Sequence, residues 1–437
     1  MKKAMVFGAG RSGLGAKKVL EELNYEVILV DDKTAMSTTE AKKYLDKIEL
    51  FIKSPGIPYN EFMQEVIEKN IEIIDEIELG YRYMQAIESK TKIIAITGTN
   101  GKTTTTTKIT ELLNFSGKKA KFAGNIGVSF CGVILENNDL DYIVLETSSF
   151  QLENIKQFKP FISLVINLTP DHLERYRDFE EYYDTKFNIC KNQKEDSYFI
   201  MNMASERILQ RRDKVNGKII KVSQESIEDL DYWVEDKKLM DKNGEILEVE
   251  KLSLKGKHNL ENVLFIVAVA KICGIKNEVI REFLYNTNSL EHRMEFVLDY
   301  GNIRFINDSK ATNIESSKYA IEAYKNCILI CGGYDKGLDW APLIKLIIEN
   351  AKEVYLIGVI APILKEKLIK DNYDISKIHT LDTVENSLLD IKERFDKNNK
   401  EVVLFSPSTS SYDQFKSFEH RGEVFKELVR KNFGKVI

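Results

Sequence analysis

The sequence of 437 residues predicts an α/β protein of three domains whose sheets are mostly parallel. Strand-like and helix-like segments alternate along the whole chain, which is the pattern of parallel strands covered by helices. The chain is also longer than one ordinary hydrophobic core serves. The alternation restarts near residues 90 and 290, so we expect domains at residues 1–89, 90–289 and 290–437.

The composition narrows the class of protein. The chain is 43% hydrophobic and 30% charged, which is ordinary for a soluble globular protein, and its net charge of −5 supplies no basic field for nucleic acid. The apolar run at residues 263–270 is too short to span a membrane, and the start of the chain lacks the apolar stretch of a signal peptide. Five scattered cysteines argue against a disulfide framework. We therefore expect a cytoplasmic protein without a membrane span or a nucleic-acid partner.

The first domain opens with a glycine loop between a strand and a helix. VFGAGRSGLG matches G-x-G-x-x-G at Gly8, Gly10 and Gly13, and Asp31 and Asp32 follow the next strand. This arrangement predicts a Rossmann-like fold in which the loop binds a diphosphate and the acid binds a ribose or a base edge. NAD and a nucleotide-sugar diphosphate satisfy it equally well. The turn KSPGI, residues 53–57, either lines the same crevice or is a plain loop.

The second domain begins with KIIAITGTNGKTTTTTKI. Residues 93–96 predict a buried strand, Gly98 and Gly101 a tight loop, and the segment from Lys102 a helix. Such a loop directs backbone N–H groups at one point, where the helix dipole also favours an anion. Lys102 adds a cation and Thr103 a hydroxyl suited to Mg²⁺. The pattern predicts a P-loop ATPase-like domain and leaves open whether it belongs to a motor, a kinase or a ligase.

Carboxylate and imidazole groups follow two further strands of this domain. Glu146 ends an apolar strand, where a carboxylate beside a phosphate loop is a candidate Mg²⁺ ligand. Asp171 and His172 follow another strand and are expected at the same sheet edge. A hairpin is predicted at DKNGEILEV, where Asn243 and Gly244 favour a two-residue turn.

Three side chains on predicted helices have less specific signals. Asn259 and Asn262 lie three residues apart on one helix face, where they could bind an adenine edge or a phosphate, and Asn259 could instead cap the helix. Lys186 lies in FEEYYDTKFNICK, and on the residues alone it is expected to be a solvated lysine.

The third domain places hydroxyl and lysine side chains after three predicted strands. Arg293 is a candidate charge stabiliser. The polar residues at the strand ends are Asp308, Lys310, Thr312 and Asn313 after IRFIN, Lys336 after ILICGG, and Ser406 to Ser411 after VVLF. Together they suit a small polyanion such as a dicarboxylate.

With these motifs in place, the chain resembles the Mur ligase family over its whole length. The resemblance rests on TGTNGKTT, GNIG, LETSSFQLE, DHL, the H-N-x-x-N pair, EHRMEF, NDSKATN, GGYDKG and SPSTSSYDQFKSFEHRG. It implies an ATP-dependent amide ligase of peptidoglycan precursor synthesis. That ligase would add D-glutamate to UDP-N-acetylmuramoyl-L-alanine through an acyl phosphate. An L-alanine-adding member of the family is the nearest alternative, and an NAD-dependent oxidoreductase would rest on GAGRSG alone.

The resemblance also implies a UDP-binding first domain, a central ATPase domain and a Rossmann-like, amino-acid-binding third domain. We expect the protein to be a monomer. The resemblance assigns catalysis to Lys102, His172, Lys186 and Arg293. It assigns ATP binding to Gly98, Thr99, Asn100, Gly101, Lys102, Thr103, Thr104, Asn259, Asn262, Arg293 and Asp308. It implies two Mg²⁺ sites at Thr103, Glu146, His172 and Lys186, with Lys186 carbamylated. UDP-substrate contacts fall on Gly13, Asp31, Asp32, Ser54, Asn125 and His172, and D-glutamate contacts on Lys310, Thr312, Lys336, Ser411 and Phe418.

Overall fold

A computed structural model describes residues 2–137, 139–170, 175–225, 227–287, 291–335, 337 and 339–434. The described residues form three sheets with covering helices, which confirms the predicted α/β class. The chain divides into two compact units, Met1–Asn286 and Thr287–Ile437. The first two sheets lie in the first unit and the third sheet lies in the second. The domain boundaries at 89/90 and 289/290 and the monomeric state stay predictions.

The first sheet has four parallel strands in the order β2-β1-β3-β4. The crossovers between these strands are helical, as parallel pairing requires. Its strands are β1 (Lys2–Phe7), β2 (Tyr25–Val30), β3 (Leu50–Lys53) and β4 (Glu72–Ile74), and its helices are α1 (Arg11–Glu22), α2 (Thr38–Ala41), α3 (Glu61–Glu68) and α4 (Glu76–Ala86). Apolar residues on both faces of β1 are fully buried, with Met5 and Val6 at its centre.

The second sheet has nine strands in the order β13-β12-β11-β10-β9-β8-β5-β7-β6, and only the pairs β11–β12 and β12–β13 are antiparallel. The strands are β5 (Lys92–Thr97), β6 (Ala120–Gly124), β7 (Tyr142–Glu146), β8 (Ile162–Val165), β9 (Tyr198–Asn202), β10 (Lys218–Ser223), β11 (Tyr232–Glu235), β12 (Lys238–Asp241) and β13 (Gly244–Glu248). The helices are α5 (Lys102–Phe115), α6 (Phe130–Glu136), α7 (Phe179–Phe187), α8 (Glu206–Leu209), α9 (Lys257–Ile272) and α10 (Asn277–Asn286). Strand β5 lies between β7 and β8, so the phosphate loop opens at the middle of the parallel region.

Helix α5 forms although it begins with a lysine and five threonines, which are mediocre helix formers. Thr104, Thr105 and Thr106 are buried where α5 packs on α9, and the same core takes in the apolar residues 263–270 of α9. Tertiary burial therefore overrides the local preference of the threonines for extended backbone.

The hairpin β12–β13 forms as predicted, but its turn lies one residue earlier. Asp241 pairs with Gly244, so Lys242 and Asn243 are the two loop residues. Gly244 has a φ of +121°, and this backbone conformation, which suits glycine, occurs at the first paired position of β13 rather than inside the turn.

The second unit contains a six-stranded sheet in the order β14-β15-β19-β16-β17-β18, in which only the pair β14–β15 is antiparallel. Its strands are β14 (Glu295–Tyr300), β15 (Ile303–Asn307), β16 (Cys327–Gly332), β17 (Ala351–Ile357), β18 (Ile378–Asp382) and β19 (Glu401–Phe405), and its helices are α11 (Ile314–Ala323), α12 (Ala341–Asn350), α13 (Ala361–Lys370), α14 (Val384–Arg394) and α15 (Phe418–Phe433). Cys327 and Cys331 are free and buried in this sheet, as core residues. Among the described residues of the whole chain, no helix has both the length and the hydropathy to cross a bilayer.

Candidate active site

The loop between β5 and α5 has the backbone geometry of a phosphate-binding loop. Gly98 has a φ of +145°, and Gly101, the residue before α5, has a φ of +83°. A Cβ atom on Gly101 would lie 2.4 Å from Oδ1 of Asn262 on α9. Glycine at residue 101 thus permits the left-handed conformation and the close approach of α9 at once. Because Gly101 has no side chain to cap α5, the first-turn N–H groups of this helix can face an anion.

Asn167, which follows β8, holds the loop through both its backbone and its side chain. Its carbonyl accepts a hydrogen bond from Thr99 N (3.0 Å), and its Oδ1 accepts one from Asn100 N (2.9 Å). Its Nδ2 donates to Glu261 Oε2 (3.3 Å), and Asn202 donates to the other oxygen of that carboxylate (2.8 Å). Burial raises the pKa of Glu261. Asn167 and Glu261 could not be identified from the sequence, because an asparagine after a strand has no distinctive spacing.

Two lysine side chains converge on the loop. Nζ of Lys102 donates to the carbonyls of Gly98 (2.9 Å) and Thr99 (2.8 Å), and Nζ of Lys186 on α7 donates to the same Gly98 carbonyl (3.0 Å). Lys186 is only 2% exposed and lies over the ring of Tyr182, 4.6 Å from its centroid. The expectation of a solvated Lys186, drawn from the residues alone, is therefore wrong. The face of α7 that carries Lys186 is turned into the core, which the weak periodicity of FEEYYDTKF did not reveal.

Glu146 fits the role of a metal ligand. It ends β7, beside the phosphate strand, and is 1% exposed. Its Oε1 accepts a hydrogen bond from Nδ2 of Asn125 (2.9 Å). Its Oε2 is buried and has no hydrogen-bond partner among the described residues. A buried carboxylate oxygen without a donor suits a hard cation such as Mg²⁺. Asp171 and His172 lie outside the described residues.

The two asparagines of α9 contact each other and the phosphate helix. Asn262 Oδ1 accepts a hydrogen bond from the Thr105 hydroxyl (3.3 Å), and its Nδ2 donates to Asn259 Oδ1 (3.3 Å). Asn259 donates to the Lys255 carbonyl (2.8 Å) and lies inside α9, whose N-cap residue is Gly256. Asn259 is therefore not the helix cap. Both amides are buried at the α5–α9 contact, next to the phosphate loop.

The glycine loop of the first sheet borders a cavity of about 400 Å³. Its lining residues are Gly8, Gly10, Arg11, Ser12, Asp31, Ser54, Pro55, Gly56, Ile57, Gly124, Asn125, Ser129 and Gln151. The cavity thus combines the loop before α1, the turn after β3 and the GNIG segment of the second sheet. Three UDP-substrate candidates, Asp31, Ser54 and Asn125, share this cavity.

Gly13 and the two aspartates shape the loop rather than all facing the cavity. A Cβ on Gly13 would lie 1.8 Å from the Gly8 carbonyl oxygen, so only glycine allows this approach. Asp31 accepts a hydrogen bond from Ala9 N (3.0 Å), and this bond lowers the pKa of the Asp31 carboxyl. Asp32 accepts hydrogen bonds from the backbone N–H (2.7 Å) and the hydroxyl (3.0 Å) of Thr38.

In the second unit, the polar strand ends meet as predicted, because β15, β19 and β16 are neighbours in the sheet. Nζ of Lys310 lies 5.2 Å from the ring centroid of Phe418, which brings two D-glutamate candidates together. Ser411, in the segment that follows β19, is buried. Lys336 lies outside the described residues. The polar edge is thus real, although which groups touch a ligand stays a prediction.

Arg421 on α15 organises this edge and was not identified from the sequence. The guanidinium is 1% exposed and donates to Ser309 Oγ (3.0 Å), Ser309 O (2.8 Å) and Thr409 O (3.0 Å). Burial lowers the pKa of Arg421 to about 10. EHRG ends a long motif, and nothing in that motif singles out its arginine as a buried donor.

Asp308 lies at the end of β15, close to the segment that carries Arg293. It accepts hydrogen bonds from the Ser406 hydroxyl (2.7 Å) and from Met294 N (3.2 Å). Burial raises the pKa of Asp308 to about 7, although these hydrogen bonds and the charge of Arg293 oppose the rise. Asp308 therefore holds the residue next to Arg293 in place.

Comparison with a family model and with solved structures shows the fold. The model of the Mur ligase middle domain matches residues 96–270, which include the phosphate loop, Glu146 and Lys186. The fold is similar to MurF from Acinetobacter baumannii (TM-score 0.64, 16% identity, 87% of this chain and 90% of that chain). It is also similar to UDP-N-acetylmuramate–alanine ligase MurC from Thermotoga maritima (TM-score 0.62, 17% identity, 99% of each chain). The described residues therefore have the fold of the Mur ligases.

Sequence relatives identify the family. The chain is 58% identical over 434 residues to the UDP-N-acetylmuramoylalanine–D-glutamate ligase of Fusobacterium nucleatum subsp. nucleatum, covering 99% of this chain and 100% of the relative. It is 37% identical over 452 residues to the protein of that name from Thermoanaerobacter sp., covering 98% of each. This chain belongs to the Mur ligase family, whose members are ATP-dependent enzymes of peptidoglycan synthesis.

Proposed function

We propose that the chain adds D-glutamate to UDP-N-acetylmuramoyl-L-alanine with ATP. The observation that carries this proposal is the 58% identity, over the full length of both chains, to a relative named for that reaction. The geometry supports it, since a phosphate loop, a nucleotide-type glycine loop and a polar sheet edge occur in one chain. The resemblance to D-glutamate-adding members also favours it over the L-alanine-adding alternative.

The proposed reaction has two steps. The terminal carboxylate of the L-alanine attacks the γ-phosphorus of ATP, which forms an acyl phosphate and releases ADP. The amine of D-glutamate then attacks the acyl carbon, and phosphate leaves as the amide forms and the amine loses a proton. ATP activates the acid, so the reaction requires no protein nucleophile. The task of the protein is to position both substrates and neutralise charge.

Residues around the phosphate loop would perform these tasks. The backbone N–H groups at Gly98 to Thr104 and the ammonium of Lys102 would bind the phosphates of ATP. Asn259 and Asn262 would orient the nucleotide. On the family resemblance alone, Arg293 and Asp308 of the second unit would also contact ATP. On binding, Lys102 would exchange its hydrogen bonds to the Gly98 and Thr99 carbonyls for phosphate oxygens. That exchange is local, because both carbonyls and the loop N–H groups belong to one turn of backbone.

We propose that Mg²⁺ is held by Thr103, Glu146, His172 and Lys186, with Lys186 as a carbamate. Bound Mg²⁺ would neutralise phosphate charge during the transfer. The buried Oε2 of Glu146, which has no hydrogen-bond partner among the described residues, supports the assignment of Glu146. Carbamylation converts an ammonium into a carboxylate-like group, and Lys186 is buried close enough to the loop to reach a metal there. A ¹³C carbamate NMR signal after growth or incubation with ¹³C-bicarbonate, lost in Lys186→Arg, would test this.

The remaining assignments complete the proposal. The cavity of about 400 Å³ beside Gly8 would take the UDP part of the substrate, through Asp31, Ser54 and Asn125. Lys310, Thr312, Lys336, Ser411 and Phe418 would bind D-glutamate. We place the enzyme in the cytoplasm, where ATP and nucleotide-activated precursors are available.

The deciding experiment measures phosphate release by the purified full-length protein with ATP and Mg²⁺. With UDP-N-acetylmuramoyl-L-alanine, release is expected to depend on D-glutamate and to be negligible with L-glutamate. Release with UDP-N-acetylmuramate and L-alanine instead would show the L-alanine-adding alternative. Reduction of NAD⁺ with no phosphate release would contradict the ligase proposal.

A further inference from the structure

The first two sheets are joined by a buried cluster of three charged side chains. Glu153 lies in the segment between β7 and β8 of the second sheet. It accepts hydrogen bonds from Nε (3.0 Å) and Nη2 (2.9 Å) of Arg175. It also accepts one from Nζ of Lys53, the last residue of β3 (3.1 Å). One carboxylate thus binds two cations, one from each sheet's part of the chain.

Arg175 also binds the turn that follows β3. Its Nη1 donates to the carbonyl of Pro55 (3.0 Å), and its Nη2 donates to the carbonyl of Ile57 (3.3 Å). The guanidinium lies over the ring of Phe150, 4.2 Å from the centroid, which confines its plane. A planar guanidinium can serve a carboxylate and two carbonyls at once because its donors are arranged as a rigid fork.

The residues held by Arg175 form one wall of the cavity beside the glycine loop. Ser54, Pro55, Gly56 and Ile57 all line that cavity. The turn is anchored at its start by the hydrogen bond from Ser54 N to the Phe7 carbonyl (3.0 Å), and it closes on itself through Ile57 N and Ser54 O (3.1 Å). Arg175 is thus the side chain that holds the later part of this wall from outside the cavity.

Because the three charged side chains are largely buried, their hydrogen bonds must be well aligned. The side chains of Lys53, Glu153 and Arg175 are 1%, 11% and 15% exposed. Buried ions repay the loss of hydration only when their hydrogen bonds are well aligned. A lysine at residue 175 has one charged nitrogen. It could bind Glu153 but could not also donate hydrogen bonds to both the Pro55 and Ile57 carbonyls.

We propose that Arg175 is a positioning residue for the UDP-linked substrate, acting through the 54–57 wall of the cavity without itself touching the substrate. This inference rests on the proposed function, since it takes the cavity as the UDP site. It predicts that replacing the guanidinium of Arg175 weakens binding of the UDP-linked substrate and leaves the affinity for ATP unchanged.

The test compares Arg175→Lys with Arg177→Lys in the full-length protein. Arg177 is a matched control, because its side chain is 79% exposed and its ion pair among the described residues is with the neighbouring Asp178. Arg175→Lys is expected to raise KM for UDP-N-acetylmuramoyl-L-alanine about ten- to a hundredfold, the effect of losing hydrogen bonds from a charged donor. KM for ATP and kcat are expected to stay within about twofold of wild type, and Arg177→Lys should leave all three unchanged.

Two outcomes would overturn the inference: an unchanged KM for the UDP-linked substrate, or a fall in kcat together with rises in both KM values and a lowered unfolding temperature. Should Arg175→Lys not fold, Glu153→Gln provides the second variant, because it keeps the shape of the side chain but releases one of the two cations. The same selective rise in KM is expected there, and its absence would count against the inference. Failure of the wild-type protein to turn over at all would contradict the proposed function instead.

Discussion

Two lysine ammonium groups meet at the carbonyl of Gly98, and both lie on helices that begin or pass beside the phosphate loop. Two like charges this close repel each other, and in the proposed reaction the phosphates of ATP would neutralise them. Lys102 is half-buried at the start of α5, whereas Lys186 is enclosed by α7. The two lysines therefore differ in what their replacement should do.

Replacement of Lys102 by alanine should remove turnover and leave the fold intact. In the proposed reaction the ammonium would neutralise charge on the phosphates, and loss of such a preorganised group is expected to lower kcat about 100- to 1,000-fold. Phosphate release measures the effect, and the unfolding temperature checks the fold. Lys121→Ala, at an exposed lysine of β6, is the control and should behave as wild type. Near-normal turnover of Lys102→Ala would exclude its phosphate role.

Replacement of Glu146 by glutamine should weaken metal binding selectively. The amide oxygen can still accept the hydrogen bond from Asn125, but the neutral group loses the free carboxylate oxygen. The Mg²⁺ concentration for half-maximal phosphate release is expected to rise about tenfold or more. Glu136→Gln, at an exposed glutamate at the end of α6, supplies the comparison. An unaltered Mg²⁺ dependence would show that Glu146 holds no metal.

At the scale of elements, the loop between β5 and α5 depends on Gly101, whose backbone is in the left-handed conformation. Gly101 permits α9 to approach the loop, and Asn262 occupies the space that a side chain at residue 101 would need. Helices α5 and α9 thus pack closely at Gly101 because this residue has no side chain. The geometry of the loop and the packing of the two helices are therefore not independent.

Two glycine-to-alanine variants separate backbone strain from this collision. Gly117, after α5, has a φ of +86° and open space around its Cβ position, whereas Gly101 has a φ of +83° and a contact at 2.4 Å. Gly117→Ala should cost only the strain, about 1 kcal/mol of unfolding free energy. Gly101→Ala should cost more and should also abolish detectable ATP binding in titration calorimetry. Equal effects of the two substitutions on stability and ATP binding would contradict the packing argument.

At the scale of the whole molecule, the first unit carries buried carboxyl groups where α4 meets the second sheet's helices. Glu76 accepts a hydrogen bond from Cys131 N at the start of α6 (2.6 Å), and burial raises its pKa to about 7. Asp75 is also buried, with a pKa raised to about 8, and Glu78 lies close by. The native state therefore binds protons on Glu76 and Asp75 that the unfolded chain releases above about pH 5.

Because a raised pKa favours the protonated native state, this stability is full below the unfolded pKa and is lost as pH rises through the folded pKa. The unfolding temperature should fall between pH 5 and pH 8. Glu76→Gln stays neutral and should show a shallower fall, the difference corresponding to roughly 3 kcal/mol at most for a rise in pKa from 4.5 to about 7. Glu68→Gln, at an exposed glutamate of α3, should retain the wild-type slope. A wild-type slope in Glu76→Gln would show that Glu76 is not the group that titrates.

Much of the fold and the loops followed from local patterns. Alternating strands and helices predicted three parallel-rich sheets, and the glycine spacings placed both loops at helix N-termini, where the structure has them. These features are readable because they depend on residues that are adjacent in the chain. The sheet edge carrying Lys310 was also predictable, since carboxyl ends of parallel strands meet at one edge.

The sequence by itself determined the α/β class, the phosphate loop and the family, because turn chemistry and periodicity act over a few residues. Only the tertiary structure decided that Lys186 is buried, that Asn167 holds the phosphate loop, and that Arg175 holds one wall of the cavity beside the glycine loop. Each of these depends on burial or on hydrogen bonds between segments about 70 to 120 residues apart. No local pattern encodes which distant carbonyl a buried cation will meet, since that is set by how the sheets and helices pack.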